Sequence, residues 1–304
     1  MPVLIAASAL VAASVALPAY ARPSDHAVAV DGAVSNPSTY STAQLAALPQ
    51  TSATVTLGNH QVTDTGVPLE SLVAAANPAY PASLLNTKNE LLRVTATVRG
   101  TGHQEVTFAV GELDANFGNQ PALVALTQNG RPIDDGPQLV VPGDRGPQRV
   151  VSNVSQVTIG IASAPATDTA PSPGSPVVVI NGSRRVTLTS AFLNGLPKES
   201  LAVSFIGPGG TQSHTEVGPS LLEVGLFAGI VPTFNTWIAA VGSDNYAATV
   251  TPGEQLVRGR QLQLSLVEDG TSLAQPRLVT DGDVKGGRYV SNVVNLYAGS
   301  GPAR

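Results

Sequence analysis

The chain has 304 residues, 42% of them hydrophobic and only 12% charged, a balance that excludes general disorder and leaves room for two domain-sized cores. Its 30 glycines and 24 prolines point to many turns and short strands rather than long helices. The formal charge of −5 is unevenly spread: Arg22–Ile161 carries 7 basic and 11 acidic residues, Val177–Arg304 carries 9 of each, and neither half has the basic field that nucleic-acid binding needs.

In chain order, Val3–Ala19 is apolar and small, and Ala19-Tyr20-Ala21 matches the A-x-A pattern of an export-signal cleavage site. Residues 1–21 are therefore expected to be a signal peptide cut after Ala21, although no Lys or Arg precedes the apolar stretch. The destination is the periplasm or the medium. The stretch is short for a membrane span, and no later one reaches the roughly 18 apolar residues a span requires. There is no cysteine, which rules out disulfides, thiolate metal sites and thiol nucleophiles.

The remainder falls into two similar units, residues 22–162 and 177–304, joined by the Pro-rich segment 163–176 (SAPATDTAPSPGSP), whose composition suits a semi-extended linker. Landmarks recur in one order. Val28-Ala29-Val30-Asp31-Gly32 matches Val178-Val179-Ile180-Asn181-Gly182, Leu48-Pro49 matches Leu196-Pro197, and Gly66-Val67-Pro68-Leu69 matches Gly218-Pro219-Ser220-Leu221. Gly143-Asp144 with Arg149 to Val154 matches Gly282-Asp283 with Arg288 to Val293. Four matches in register indicate duplication.

Each unit opens on a strand (Ala27–Val30, Val177–Ile180) that ends in a turn at Asp31-Gly32 or Asn181-Gly182. A short helix follows, with Thr42 or Thr189 as N-cap and Leu-Pro as stop. A strand comes next (Ala53–Leu57, Leu201–Ile206), then a second helix with Leu69, Leu72, Val73 and Ala76, or Leu222 and Leu226, on its apolar face and stops at Asn77-Pro78 and Gly229. Strands are expected at Leu91–Val98, Glu105–Val110, Leu123–Thr127, Gln138–Val141 and Val150–Ile159. The second unit answers with Thr236–Val241, Ala247–Val250, Gln261–Val267, Arg277–Thr280 and Tyr289–Leu296. Mixed strands with two short helices make an α+β unit rather than a doubly wound parallel sheet.

Catalytic signatures are absent. The four histidines (His26, His60, His103, His214) show no metal-binding spacing, though His60 and His214 both precede the second helix of their unit. No G-x-S-x-G elbow occurs. Gly207-Pro208-Gly209-Gly210 lacks the P-loop lysine and reads as a hairpin loop. The repeated Gly-Asp…Arg…Ser-Asn element stands out: Asp144, Arg149, Ser152 and Asn153, and again Asp283, Arg288, Ser291 and Asn292. Arginine offers a donor fork suited to phosphate or carboxylate. The plainer reading, an Asp–Arg pair pinning a loop to the next strand, is preferred.

The ordered set resembles the molybdopterin-binding domain of sulfite-oxidase-type oxidoreductases. The residues that carry it are Gly66, Leu69 and Leu72, the run Leu123-Val124-Ala125-Leu126-Thr127-Gln128-Asn129-Gly130-Arg131-Pro132-Ile133, the Gln138–Pro142 strand, the closing Arg149–Ile159 segment, and Asp244-Asn245-Tyr246 in the second unit. The resemblance implies an α+β molybdopterin-binding fold in both units, with late basic residues holding the pterin phosphate. It also implies a cysteine ligand to molybdenum near Gly58 or Gly207, where none stands. Asn59 or His60 offers only a harder donor, and no twin-arginine signal is visible.

The expectation is thus an exported, non-catalytic protein that binds a small ligand or an envelope partner, with no cofactor expected and no nucleic-acid partner. Residues assigned to ligand or cofactor contact are His60, Arg149, Asn153 and Arg288. Two readings stand beside it: a molybdopterin-dependent oxidoreductase with atypical metal ligation, and a structural envelope repeat protein.

Overall fold

A computed structural model describes residues 26–57, 60–84, 87–163 and 174–303. The signal-peptide assignment, Gly58, Asn59 and most of the linker lie outside these residues. Among them, no helix is long and apolar enough to cross a membrane.

The first half opens on β1 (Ala27–Gly32), whose Val28 and Val30 point into the core while alternate residues face outward. It pairs with β2 (Ser38–Ser41) in antiparallel fashion and with β10 (Gln156–Ile161) in parallel. β5 (Val94–Arg99) and β6 (Glu105–Ala109) complete a sheet of order β2-β1-β10-β5-β6. The second half repeats this order with β12 (Arg184–Leu188), β11 (Val177–Asn181), β19 (Val293–Ser300), β15 (Thr236–Gly242) and β16 (Ala247–Val250). There too the first and last strands form the parallel pair.

Each half carries a second sheet. In the first it combines the hairpin β3 (Thr51–Leu57) and β4 (His60–Pro68) with β7 (Leu123–Gln128), β8 (Arg131–Pro132) and β9 (Gln138–Val140). In the other, β13 (Glu199–Gly207), β14 (Gly210–Gly218), β17 (Leu262–Glu268) and β18 (Thr271–Thr280) form a four-stranded sheet. Six short helices lie among these strands: α1 (Thr42–Ala46), α2 (Leu69–Ala76), α3 (Val110–Leu113), α4 (Ser190–Gly195), α5 (Leu221–Phe227) and α6 (Pro252–Leu256). Mixed sheets with few helices make the fold α+β.

Several local expectations are refined. The N-cap of α1 is Ser41 rather than Thr42: its hydroxyl accepts from the Gln44 amide while the Gln44 side chain accepts from the Ser41 amide. Thr189 caps α4 as expected. In α2 all four chosen apolar residues are buried, and Asn77 ends the helix in the left-handed region at φ 54°. In α5, Leu226 is exposed; Leu221 and Val224 face the core instead. β2, β4, β12 and β14 were not expected, nor were α3 and α6. The stretch before β10 is a 3₁₀ turn, Pro147–Arg149, followed by irregular chain rather than strand.

The repeated glycine before α2 and α5 has a steric cause. A Cβ on Gly66 would lie 2.1 Å from the Val124 carbonyl oxygen, and one on Gly218 would lie 2.2 Å from that of Leu264. Both obstacles are backbone of the neighbouring strand and cannot rotate away. Gly66→Ala and Gly218→Ala are each expected to cost about 2–3 kcal/mol, as overpacked core sites do, read as a lower urea midpoint.

Candidate functional site

The repeated Asp–Arg element sits where the halves meet. Arg149 and Arg288 each close a 3₁₀ turn (Pro147–Arg149, Gly286–Arg288), and both are buried. Arg149 grips Asp144 with two parallel bonds of 2.7 Å, and its third nitrogen donates to Glu112 at 2.6 Å. Arg288 repeats the pattern, with bonds of 2.8 and 2.5 Å to Asp283 and one of 2.6 Å to Glu254. The carboxylates strongly favour the guanidinium charge in both cases, against the desolvation that burial imposes.

The two clusters touch. Glu112 opens its carboxylate to the Thr251 hydroxyl of the other half at 3.2 Å, while the Thr251 amide donates to Glu254. Each arginine also rests on a glycine of the opposite half. A Cβ on Gly253 would lie 2.9 Å from Arg149 Cδ, and one on Gly111 would lie 2.8 Å from Arg288 Cδ. Reciprocal backbone bonds flank this centre: Arg145 donates to the Val257 carbonyl and Val284 to that of Phe117, at 2.9 and 2.8 Å. Arg258 approaches Asp144 and Arg260 approaches Asp283, at 3.7 and 3.5 Å, so four carboxylates stand against four guanidinium groups.

Of the four residues assigned from sequence, the structure thus brings Arg149 and Arg288 together, with both forks occupied by protein carboxylates. His60 is exposed at the tip of the β3–β4 hairpin, opposite Leu57. Asn153 lies in an irregular segment at φ 46°. Neither joins the buried cluster. Glu112 and Glu254 were missed, although Gly111-Glu112 and Gly253-Glu254 are themselves a repeated pair in the sequence.

Beside the cluster, a cleft of about 750 Å³ opens between the halves. The second half supplies the β13–β14 hairpin tip, the Asp244-Asn245-Tyr246 turn and the Lys285–Tyr289 segment; the first supplies Lys88, Asn89 and the Asp114–Phe117 turn. Gly286 and Gly287 let rings approach the backbone: a Cβ on them would lie 2.6 Å from Phe205 and 2.2 Å from Phe117. Phe205 meets Tyr289 edge-on, with ring centroids 4.7 Å apart. The Tyr246 hydroxyl accepts from Asn89 at 2.9 Å and donates to the Gly287 carbonyl, tying the two walls. Burial raises the Tyr246 and Tyr289 hydroxyls above the ordinary tyrosine range, so both remain neutral donors near neutrality. Among the described residues, no cluster of His, Cys, Asp or Glu suits a metal ion.

No family model matches the chain, and no curated protein does. Among solved structures it is similar to the crystal structure of the sulfane dehydrogenase SoxCD from Paracoccus pantotrophus, at 15% sequence identity and a TM-score of 0.36, over 86% of this chain and 63% of that one. The chain therefore spans less than two thirds of that protein's length.

Two predictions concern the buried cluster. Arg288→Met leaves Asp283 and Glu254 buried with their nearest cation removed, and is expected to cost about 3–5 kcal/mol in chemical unfolding. The second is a pH dependence. Burial pushes the Glu254 carboxyl up to about 7; Arg288 opposes this, and the nearby charge of Glu112 adds to it. A carboxyl that holds its proton more tightly when folded contributes stability in full below the unfolded value of about 4.3, and loses it as pH rises through the folded one. The melting temperature is therefore expected to fall between about pH 5 and about pH 8, and Glu254→Gln to flatten that slope.

Proposed function

We propose that this chain is an exported, non-catalytic binding protein that takes a small organic ligand in the cleft between its halves. The cleft carries the proposal. Its volume of about 750 Å³ lies within the range of small-molecule sites, and it combines aromatic walls with a few convergent polar groups. The apolar Val3–Ala19 stretch and the Ala19-Tyr20-Ala21 pattern support export.

The residues present do not fit a molybdopterin cofactor. The 304 residues contain no cysteine to bind the metal through sulfur. Arg149 and Arg288, which the family resemblance would turn toward a pterin phosphate, have their forks taken by Asp144 with Glu112 and by Asp283 with Glu254. A phosphate competing for either would have to displace a buried carboxylate already held in a bidentate pair, an exchange with no evident gain. Among the described residues that line the cleft, the one serine, Ser291, has no hydrogen bond from its hydroxyl to a carboxylate or histidine, which supports binding rather than turnover.

A library of small charged and neutral fragments, screened by amide NMR on the full chain, is expected to move the signals of Phe117, Gly286, Gly287 and Tyr289 together. The proposal fails if the fragments leave these signals in place or perturb only other surfaces. Protein purified from its native host is expected to hold far less than one molybdenum per chain. A stoichiometric amount overturns the non-catalytic reading.

A further inference from the structure

The side chains of the cleft are a biased sample of this protein. The chain has three lysines in all, and two of them, Lys88 and Lys285, line the cleft from opposite halves. Of its thirteen aromatic residues, four (Phe117, Phe205, Tyr246 and Tyr289) do the same. In a chain only 4% aromatic by composition, such a concentration of rings and ammonium groups needs a cause. Packing explains the buried Phe117 and the wall-tying Tyr246, but not the lysines. Lys88 and Lys285 are exposed, and among the described residues neither forms a salt bridge; Lys285 only donates to Asn116 across the cleft, at 2.7 Å.

Two carboxylates, Asp114 and Asp244, also line the cleft, but neither forms a salt bridge with a lysine. One oxygen of each accepts from the backbone of its own turn, Asp114 from the Asn116 amide and Asp244 from the Tyr246 amide. Nor does the duplication account for the lysine. In the register that matches Arg149 with Arg288, the first half has Gly146 where the second has Lys285, and Val150 where it has Tyr289. The shared scaffold does without this cation and this ring, and only the second half carries them.

Resting on the reading of the cleft as a ligand site, we infer that the ligand is a flat aromatic carboxylate, its ring system lying among Phe117, Phe205 and Tyr289 and its carboxylate held between Lys88 and Lys285. Rings on both walls favour a planar partner through edge and face contacts. Two ammonium groups on flexible stems, neither in a salt bridge and one donating only to the neutral Asn116 amide oxygen, suit a single compact anion, whereas no arginine lines the cleft to offer the fork that recognises phosphate in bidentate fashion. Because the two lysines come from different halves, the anion also bridges them.

Calorimetric titration of the full chain with four probes tests this: 2-naphthoate, 2-naphthylmethanol, cyclohexanecarboxylate and 2-naphthyl phosphate. The naphthoate is expected to bind at least about tenfold more tightly than the alcohol or the non-planar acid. Raising salt from about 50 to about 500 mM is expected to weaken it. In the Lys88→Met/Lys285→Met double variant, naphthoate affinity is expected to drop about tenfold while the alcohol changes less than about twofold. Both side chains are exposed, so an unchanged melting temperature verifies that the variant is folded. The inference is overturned if the alcohol binds as well as the acid, if the phosphate binds tenfold better than the carboxylate, or if the double variant loses nothing. Should no probe bind while fragments still perturb Gly286, Gly287 and Tyr289 by NMR, the ligand class is wrong and the binding cleft stands. If those amides never respond, the cleft itself is not the site.

Discussion

Two buried guanidinium groups hold this molecule in its form. Each of Arg149 and Arg288 is neutralised by an aspartate five residues upstream and a glutamate from a short helix, and each lies against a glycine of the opposite half. An isolated charge so deep would be very costly, but here every fork nitrogen has a carboxylate partner and the arrangement is reciprocal. Because the glutamates of the two halves share Thr251, the halves cannot part without exposing or orphaning part of this cluster. The net stabilisation from such a cluster is modest, because desolvation of the buried charges offsets much of their attraction.

That docking is reinforced by apolar contacts of the same reciprocal kind. Leu92 and Phe117 of the first half pack in the core of the second, and Phe234 of the second packs against the core of the first. The chain's last described residues also return to the first sheet, where the Ala303 amide donates to the Thr95 hydroxyl and the Ala303 carbonyl accepts from the Ile161 amide. The cleft is a consequence of this geometry. Phe117 enters the second half's core beside Gly287, and its turn becomes one wall of a groove whose other wall is the β13–β14 hairpin.

The cleft also separates what the two halves share from what they do not. Sheet order, the close-packed glycine before α2 and α5 and the arginine cluster are common to both halves. Lys285 and Tyr289 are confined to the second half. A scaffold position that must satisfy packing tolerates little change, whereas an exposed rim position such as Lys285 is freer to vary.

Much of this was legible in the chain before any coordinate. The apolar spacing of Leu69, Leu72, Val73 and Ala76 marked a helix, Asn77 its end, and the ordered recurrence of Gly66/Gly218 and Asp144–Arg149/Asp283–Arg288 marked equivalent positions, because these signals are local. β4 and β14 were missed because their outward residues are polar and their pairing depends on a partner strand, and Leu226 was misplaced because the helix's buried face is chosen by what packs on it. The sequence by itself determined the α+β character, the recurrence of landmarks in the two halves and the lack of any cysteine thiolate among the 304 residues. Only the tertiary structure decided that Glu112 and Glu254 complete the arginine sites and that Lys88, Phe117, Phe205 and Lys285 share one cleft. Those residues lie far apart along the chain, and no periodicity or motif relates them; their proximity follows from how two folded halves close on a buried pair of charges.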